Sequence, residues 1–434
     1  MLSLGCAKNL VNSEQMIHKL KENGFSVTDD PASADAAVVN TCGFIDSAKS
    51  ESIEAILQLA ELKKTGKLRA LIVAGCLSQR YGAEFRKELP EVDAVLGTGA
   101  YSDICEAVEK ALSGTRFESA PPPEDAPLEG ERTLLTPSYS AYLRIAEGCD
   151  NRCSYCVIPY IRGRYRSRRI EDITEEARRL ASRGVRELLV IAQDITRYGT
   201  DIYGRKALPE LLSELCKIDG VEWIRLHYLY PDECTRELFE LCAREPKILH
   251  YFDIPIQHIS DRVLKRMNRR GGSDAVKRTV SEIRELMPDA VIRTSLIVGF
   301  PGETEKDFEE LCDFMRKYKL QRAGVFAYSR EEGSPAASFT GQIPDEIKEK
   351  RREILYGLQE RIMDEWSRSL VGKTLKVLCT GGADGEYRGR SYMDSPDVDG
   401  EVTFTGRNVS EGDIVSVRIT GFDACDLTGY TEER

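Results

Sequence analysis

Glu147-Gly148-Cys149-Asp150-Asn151-Arg152-Cys153-Ser154-Tyr155-Cys156 carries three cysteines in C-x-x-x-C-x-x-C spacing. Three thiolates this close can face a single inorganic centre. A zinc site would need a second nearby Cys/His pair to close its tetrahedron, and none follows. Three ligands suit a 4Fe-4S cluster that keeps one iron open. The plain alternative is three packed thiols, and the specific spacing argues against it.

Around this loop, Tyr139 to about Ser329 alternates strand and helix patterns. Apolar runs predict strands at 141–145, 187–191, 223–226, 251–254, 292–297 and 324–328. Ile173, Ala177, Leu180 and Ala181 mark one face of the helix after the first of them. Six βα units are too few for a closed eight-stranded barrel, so an open, partial barrel is expected, with its chemistry at the C-terminal ends of the strands. The cysteine loop follows the first strand, at that edge. Gln193 and Asp194 end the second strand, and Gln257 and His258 end the fourth. After the fifth comes Gly299-Phe300-Pro301-Gly302-Glu303-Thr304, with Thr304 and Asp307 as a capping pair. The basic run Arg162 to Arg169 reads either as a solvated face or as an anion contact at the mouth of the site.

Residues 1–117 show the same alternation and predict a parallel-sheet α/β domain. Cys6, Cys42 and Cys76 each fall just past the C-terminal end of a predicted strand, beside Gly5, Gly43 and Gly75. One such cysteine would be a packed thiol, but three at equivalent positions of a sheet edge predict a second metal site. The first strand, Met1 to Leu4, is shorter than usual. Pro121-Pro122-Pro123 and Pro127 mark 118–137 as an extended linker. The partial barrel is expected over 138–368. Residues 369–434 hold short alternating segments with Gly-rich turns, the pattern of a small antiparallel β-barrel. That segment carries Asp384, Glu386, Asp394, Asp397, Asp399, Glu401, Glu411, Asp413, Asp423 and Asp426. Such a surface repels phosphate and attracts basic protein.

The totals fit this division. A chain of 434 residues exceeds one ordinary core, and its net charge of −11 counts against a nucleic-acid partner. Thirteen scattered cysteines make no secreted disulfide framework and suit a reducing cytoplasm. No run reaches the roughly 18 apolar residues of a membrane span, and no signal peptide is evident.

Together the two cysteine sets and the terminal barrel resemble the radical S-adenosylmethionine (SAM) methylthiotransferase family over nearly the whole chain, the barrel resembling its TRAM domain. Ser3 to Val11, Arg225 to Pro231, Asp253 to His258 and Gly389 to Pro396 resemble the branch that modifies small-subunit ribosomal protein number twelve. Ala7, where that branch has Pro, and the short first strand depart from the pattern without removing a ligand. The resemblance implies that Cys149, Cys153 and Cys156 hold the SAM-cleaving 4Fe-4S cluster. It puts Tyr155 near the SAM adenine and Gln193, Asp194, Gln257 and Gly299 along its pocket. It implies an auxiliary 4Fe-4S cluster at Cys6, Cys42 and Cys76 that carries the sulfur to be transferred. One SAM would methylate that sulfur. A second would yield a 5′-deoxyadenosyl radical that takes hydrogen from the β-carbon of an aspartate. The implied partners are a basic ribosomal protein, an external electron donor and a sulfur source, with the basic run near the SAM carboxylate or an acidic substrate. Two rivals stand beside this. A tRNA adenosine methylthiotransferase predicts a basic barrel and salt-sensitive RNA binding. A non-catalytic iron–sulfur binding or redox-sensing protein predicts no SAM cleavage.

Overall fold

The computed structural model describes residues 1–432, apart from the Arg86 side chain; the last two positions of the expected 369–434 segment lie outside the described residues. In the N-terminal sheet, β1 (Leu2–Ser3), β2 (Ala36–Thr41), β3 (Ala70–Gly75), β4 (Ala94–Leu96) and β5 (Phe117–Ser119) lie in chain order, all parallel. β3 is buried at every residue because helices cover both faces, which is why it reads as an unbroken apolar run. β5 has no such signal, since it is a polar edge strand of three residues.

The Pro-rich stretch between the two α/β units is tethered along its length. Pro123–Asp125 form a 3-10 turn. Buried Arg132 donates to Glu14 (2.6 Å) and to Glu176 (2.8 Å), tying one unit to the other. In the helix Asp46–Thr65, Ile56 and Ala60 are buried, but Ile53 and Leu57 point to solvent.

The central unit contains β6 (Ser140–Arg144), a short antiparallel pair β7 (Ala146–Glu147) and β8 (Arg166–Ser167), then β9 (Glu187–Ile191), β10 (Trp223–Leu226), β11 (Ile248–Asp253), β12 (Val291–Val298) and β13 (Arg322–Ala327). Strands β6, β9, β10, β11, β12 and β13 are parallel neighbours in that order, and the sheet stays open between β6 and β13. This is the open partial barrel expected from six βα units. Thr304 and Asp307 form the capping box of the helix Glu305–Tyr318. Among the described residues no helix is long and apolar enough to cross a membrane.

The helix Asp345–Leu370 leads to a closed barrel of β14 (Thr374–Ala383), β15 (Glu386–Ser391), β16 (Val402–Thr405), β17 (Ile414–Asp423) and β18 (Asp426–Thr431). The barrel is not wholly antiparallel, because β16 and β18 pair in parallel. Five strands cannot alternate direction around a closed ring, so one parallel seam is unavoidable.

Alternation along the central strands puts Trp223 and Arg225, Leu249 and Tyr251, and Val291 and Arg293 on one face. There Trp223, Leu249, Tyr251 and Val291 share a core with Leu375, Val377 and Met393 of the barrel. The polar residues on that face lock the seat. Fully buried Glu187 accepts from Arg225 (3.0 Å) and from Arg390 of the barrel (2.6 Å). Arg225 also donates to the carbonyls of Tyr392 (2.6 Å) and Ser391 (3.2 Å). Arg322 pairs with Asp394 (2.7 Å), and Arg293 with Asp399 (3.7 Å). Two of the ten barrel acids are therefore spent inside the interface rather than on the surface.

Burial alone would raise the Glu187 carboxyl, but Arg390 and Arg225 outweigh it and hold it at about 2. The stability this adds is present above about pH 4.5 and is lost as pH falls toward 2. Glu187→Ala strands two buried guanidinium groups and is expected to cost about 3–5 kcal/mol. Denaturant unfolding should show the loss, and limited proteolysis should release the barrel first. An unchanged midpoint would contradict the assignment.

Candidate functional site

Both thiol triads lie at C-terminal ends of parallel strands. Cys6 is the N-cap of the helix Ala7–Glu22, Cys42 follows Thr41 at the end of β2, and Cys76 opens the helix Cys76–Glu88 directly after β3. Since β1, β2 and β3 are neighbours, the three turns stand side by side. Gly5 has φ +87°, and a Cβ there would sit 2.8 Å from the Cys42 Cβ, so only glycine lets these turns approach.

The second triad rests in the loop after β7. Gly148 has φ +81°, and a Cβ there would lie 2.0 Å from the Arg164 carbonyl oxygen. The Cys149 amide donates to the Gly163 carbonyl (3.1 Å), and Cys156 to that of Cys153 (3.0 Å). Between the first two cysteines, Asn151 donates to buried Asp194 (2.7 Å), which also accepts from the Thr196 amide (3.0 Å). Burial raises the Asp194 carboxyl, and its hydrogen bonds are spent on holding this loop. Cys153 meets the Tyr230 hydroxyl (3.2 Å) and the Arg269 guanidinium (3.9 Å), which lies 3.7 Å from the Tyr230 ring centre.

The two triads are brought together by the segment that follows Cys156. Cys76 packs against Val157 and Ile161, with Phe44 alongside. Buried Arg162, from the short helix Ile158–Arg162, donates to Asn12 (2.7 Å), Asn9 (2.9 Å), the Cys76 sulfur (3.4 Å) and Glu147 (3.4 Å). Glu147, immediately before Gly148, also accepts from Arg144 (3.0 Å) and from Gln193. Burial would raise its carboxyl, but Arg162 and Arg144 hold it below the usual range.

The donor sets suit iron–sulfur clusters. Burial pushes the Cys149 thiol up to about 12 and Cys42 up to about 11, so a metal would favour thiolate there at neutral pH, whereas Lys8 and Arg162 lower the Cys6 thiol against its burial. Arg162, 3.4 Å from the Cys76 sulfur, and Arg269, 3.9 Å from that of Cys153, would offset negative charge on thiolates there. Among the described residues no three His, Cys, Asp or Glu side chains are gathered for one metal ion; a cubane instead binds each thiolate through a separate iron.

Of the other residues singled out in the sequence, Tyr155 packs beside Val263, Met267, Phe300 and Tyr328. The Gln193 carbonyl oxygen is buried without a partner, which leaves an acceptor for a bound group. Gln257 holds φ +69°, a strained backbone, four residues past the end of β11, where it bridges to Leu296 of β12. The Gly299 amide donates to Glu303 (2.7 Å), and Lys348 fills the space its Cβ would take. The basic run is largely consumed inside the protein: besides Arg162, Arg166 donates to backbone carbonyls of Glu124 and Ala126, and Arg168 pairs with Glu129 and Glu176. Arg269 carried no sequence signal, whereas Glu147 and Tyr230 lay within stretches already singled out.

Three family models match the chain: the radical SAM superfamily over 143–315, an uncharacterized protein family (UPF0004) over 1–97, and the TRAM domain over 371–431. A protein of Lachnoclostridium phytofermentans is 48% identical over 435 residues, covering 99% of each chain. One of Pelotomaculum thermopropionicum is 50% identical over 438 residues, covering 99% of this chain and 98% of its own. Both are named ribosomal protein uS12 methylthiotransferase RimO. Among solved structures, the radical SAM methyltransferase TsrM of Kitasatospora setae aligns with TM-score 0.56 at 14% identity, over 88% of this chain and 77% of its own, a likeness of fold alone. The open parallel sheet with its three-cysteine loop thus defines a radical SAM protein. With the N-terminal sheet and the terminal barrel, the chain belongs to the ribosomal protein uS12 methylthiotransferase (RimO) family.

Arg162→Met removes the buried donor to the Asn9 and Asn12 side-chain oxygens and one of the donors to Glu147. It is expected to destabilise the protein by about 3–5 kcal/mol, read as a shift of the denaturant midpoint. Arg162→Lys should recover only part, because one ammonium lacks the planar fork that reaches all four acceptors. A midpoint within 1 kcal/mol of wild type, on the usual scatter of surface substitutions of about ±0.5 kcal/mol, would remove Arg162 from this role.

Proposed function

We propose that this chain is a radical SAM methylthiotransferase that places a methylthio group on the β-carbon of an aspartate of ribosomal protein uS12. SAM would serve both as methyl donor and as source of the hydrogen-abstracting radical. The observation that carries this reading is the packing of Cys76 against Val157, the neighbour of Cys156, with Arg162 bridging Cys76 and Glu147. It supports two centres working on one substrate atom rather than two independent redox sites.

In this reading Cys149, Cys153 and Cys156 hold the 4Fe-4S cluster that binds SAM, and Cys6, Cys42 and Cys76 hold an auxiliary 4Fe-4S cluster. With SAM they supply one-electron chemistry, which an unactivated C–H bond demands because no side-chain base can deprotonate it. The chain's own residues position and shield these groups. Arg269 and Tyr230 donate toward Cys153, while Tyr155, Gln193 and Gln257 line the SAM pocket. Asp194 acts through Asn151 on the cysteine loop. Arg162 and Glu147 fix the spacing of the two triads. An external reductant and sulfur source complete the reaction, in the cytoplasm.

The charge of the partner favours protein over tRNA. The net charge is −11, and Asp384, Glu386, Glu411 and Asp423 of the barrel are exposed. These repel phosphate and favour a basic ribosomal protein.

The test is anaerobic turnover of the reconstituted protein with SAM and reductant, followed by mass spectrometry. uS12 goes in one tube and bulk tRNA in another. A methylthio increment on an aspartate peptide is expected; an increment on tRNA alone would overturn the substrate. Cys149→Ala should abolish SAM cleavage. Cys42→Ala should spare cleavage and stop sulfur insertion, and continued insertion would sink the auxiliary-cluster assignment.

A further inference from the structure

Lys8 stands two residues after Cys6 and is 94% buried, its exposure being 6%. Among the described residues its ammonium makes no hydrogen bond or ion pair; its contact is the Tyr228 ring, 3.1 Å from Nζ to the ring centre. The ammonium itself is not fully sealed from solvent. A largely buried cation whose neighbours are an aromatic face and the Cys6 thiol, with no hydrogen-bond partner, can still take an anion into its shell.

The position of that head relative to both triads follows from the chain. Tyr228 belongs to the turn after β10, where it holds φ +64°, a backbone state that costs energy in a non-glycine residue. Two residues on, the Tyr230 hydroxyl meets the Cys153 sulfur at 3.2 Å. Two residues of chain span at most about 7 Å. Tyr228-Leu229-Tyr230 therefore reaches from the Lys8 ammonium, beside Cys6, to the Cys149–Cys156 loop.

We infer that Lys8 is the specificity-determining cation that receives the carboxylate of the substrate aspartate. This rests on the function proposed above. If the β-carbon is presented to the centre at Cys6, Cys42 and Cys76, the carboxyl carbon bonded to it falls within reach of a group two residues from Cys6. A lone ammonium on an aromatic ring suits one compact carboxylate. A nucleic-acid backbone would ask for a row of cations. The Tyr228 ring, 3.1 Å beneath Nζ, fixes where the ammonium stands.

The experiment measures binding of full-length uS12 to the loaded enzyme without reductant, by anisotropy of a label remote from the target. uS12 with the target aspartate is compared with uS12 carrying asparagine there. Wild type is expected to prefer the aspartate form by about ten- to a hundredfold, the size of one charge-assisted hydrogen bond. Lys8→Met should bring the ratio to near one, and Lys8→Arg should restore most of it. Tyr228→Leu, which keeps the charge but frees the head, should lower the ratio severalfold. Iron content of each variant checks that the fold is intact, and if Lys8→Met fails to load iron, the Arg and Leu variants decide. A wild-type ratio retained in Lys8→Met, or in Tyr228→Leu if Lys8→Met does not load, would overturn the assignment of Lys8 while leaving the methylthiotransferase reading in place. No preference in a wild-type enzyme that still modifies aspartate would do the same. Absence of any modification of uS12 would instead overturn the function itself.

Discussion

One buried guanidinium, Arg162, is shared by two domains. Desolvating it is costly, and the structure offsets that cost with Asn9 and Asn12 from the first domain, Glu147 from the second, and the Cys76 sulfur. A planar fork is the side chain that serves several such acceptors at fixed angles. Because Arg162 ends the short helix that begins just after Cys156 and Val157, its anchoring also sets how far the second triad stands from the first. The two thiol sets are neighbours because this charge has nowhere else to go.

The barrel is held by the same physics at the other side of the central sheet. Glu187 neutralises Arg225 and Arg390 at once, and Asp394 and Asp399 answer Arg322 and Arg293. Apolar contact between Trp223, Tyr251 and the barrel core supplies bulk attraction, while the ion pairs set the register. The barrel's remaining acids stay on the outside, where they shape the field that a basic partner meets.

Part of the backbone strain lies near the thiol loops. Positive φ at Arg152, Tyr228 and Gln257 occurs beside the thiol loops or past the ends of central strands. Such backbone states persist only where surrounding structure over-determines them, as it does around binding sites. Two polar groups there lack a hydrogen-bond partner: the buried Gln193 oxygen, and the Lys8 ammonium, which rests on the Tyr228 ring.

The sequence alone determined the parallel sheets and the partial barrel and pointed to two groups of cysteines, because apolar runs, strand ends and the C-x-x-x-C-x-x-C spacing are local signals. Strand ends locate a site as soon as strands are recognised, so Cys6, Cys42 and Cys76 could be grouped without coordinates. Only the tertiary structure decided what the charged residues do. Arg162 to Arg169 reads as a solvated face or an anion contact, yet Arg162 and Arg168 are buried in internal ion pairs; Asp394 and Asp399 read as surface acids, yet they pair across an interface. The tethering of 118–137, the polar edge strand β5 and the parallel seam of the barrel were likewise hidden. Lys8 and Tyr228, or Arg225 and Ser391, are far apart in the chain. Their pairing depends on how whole domains dock, and no periodicity within a short window records that.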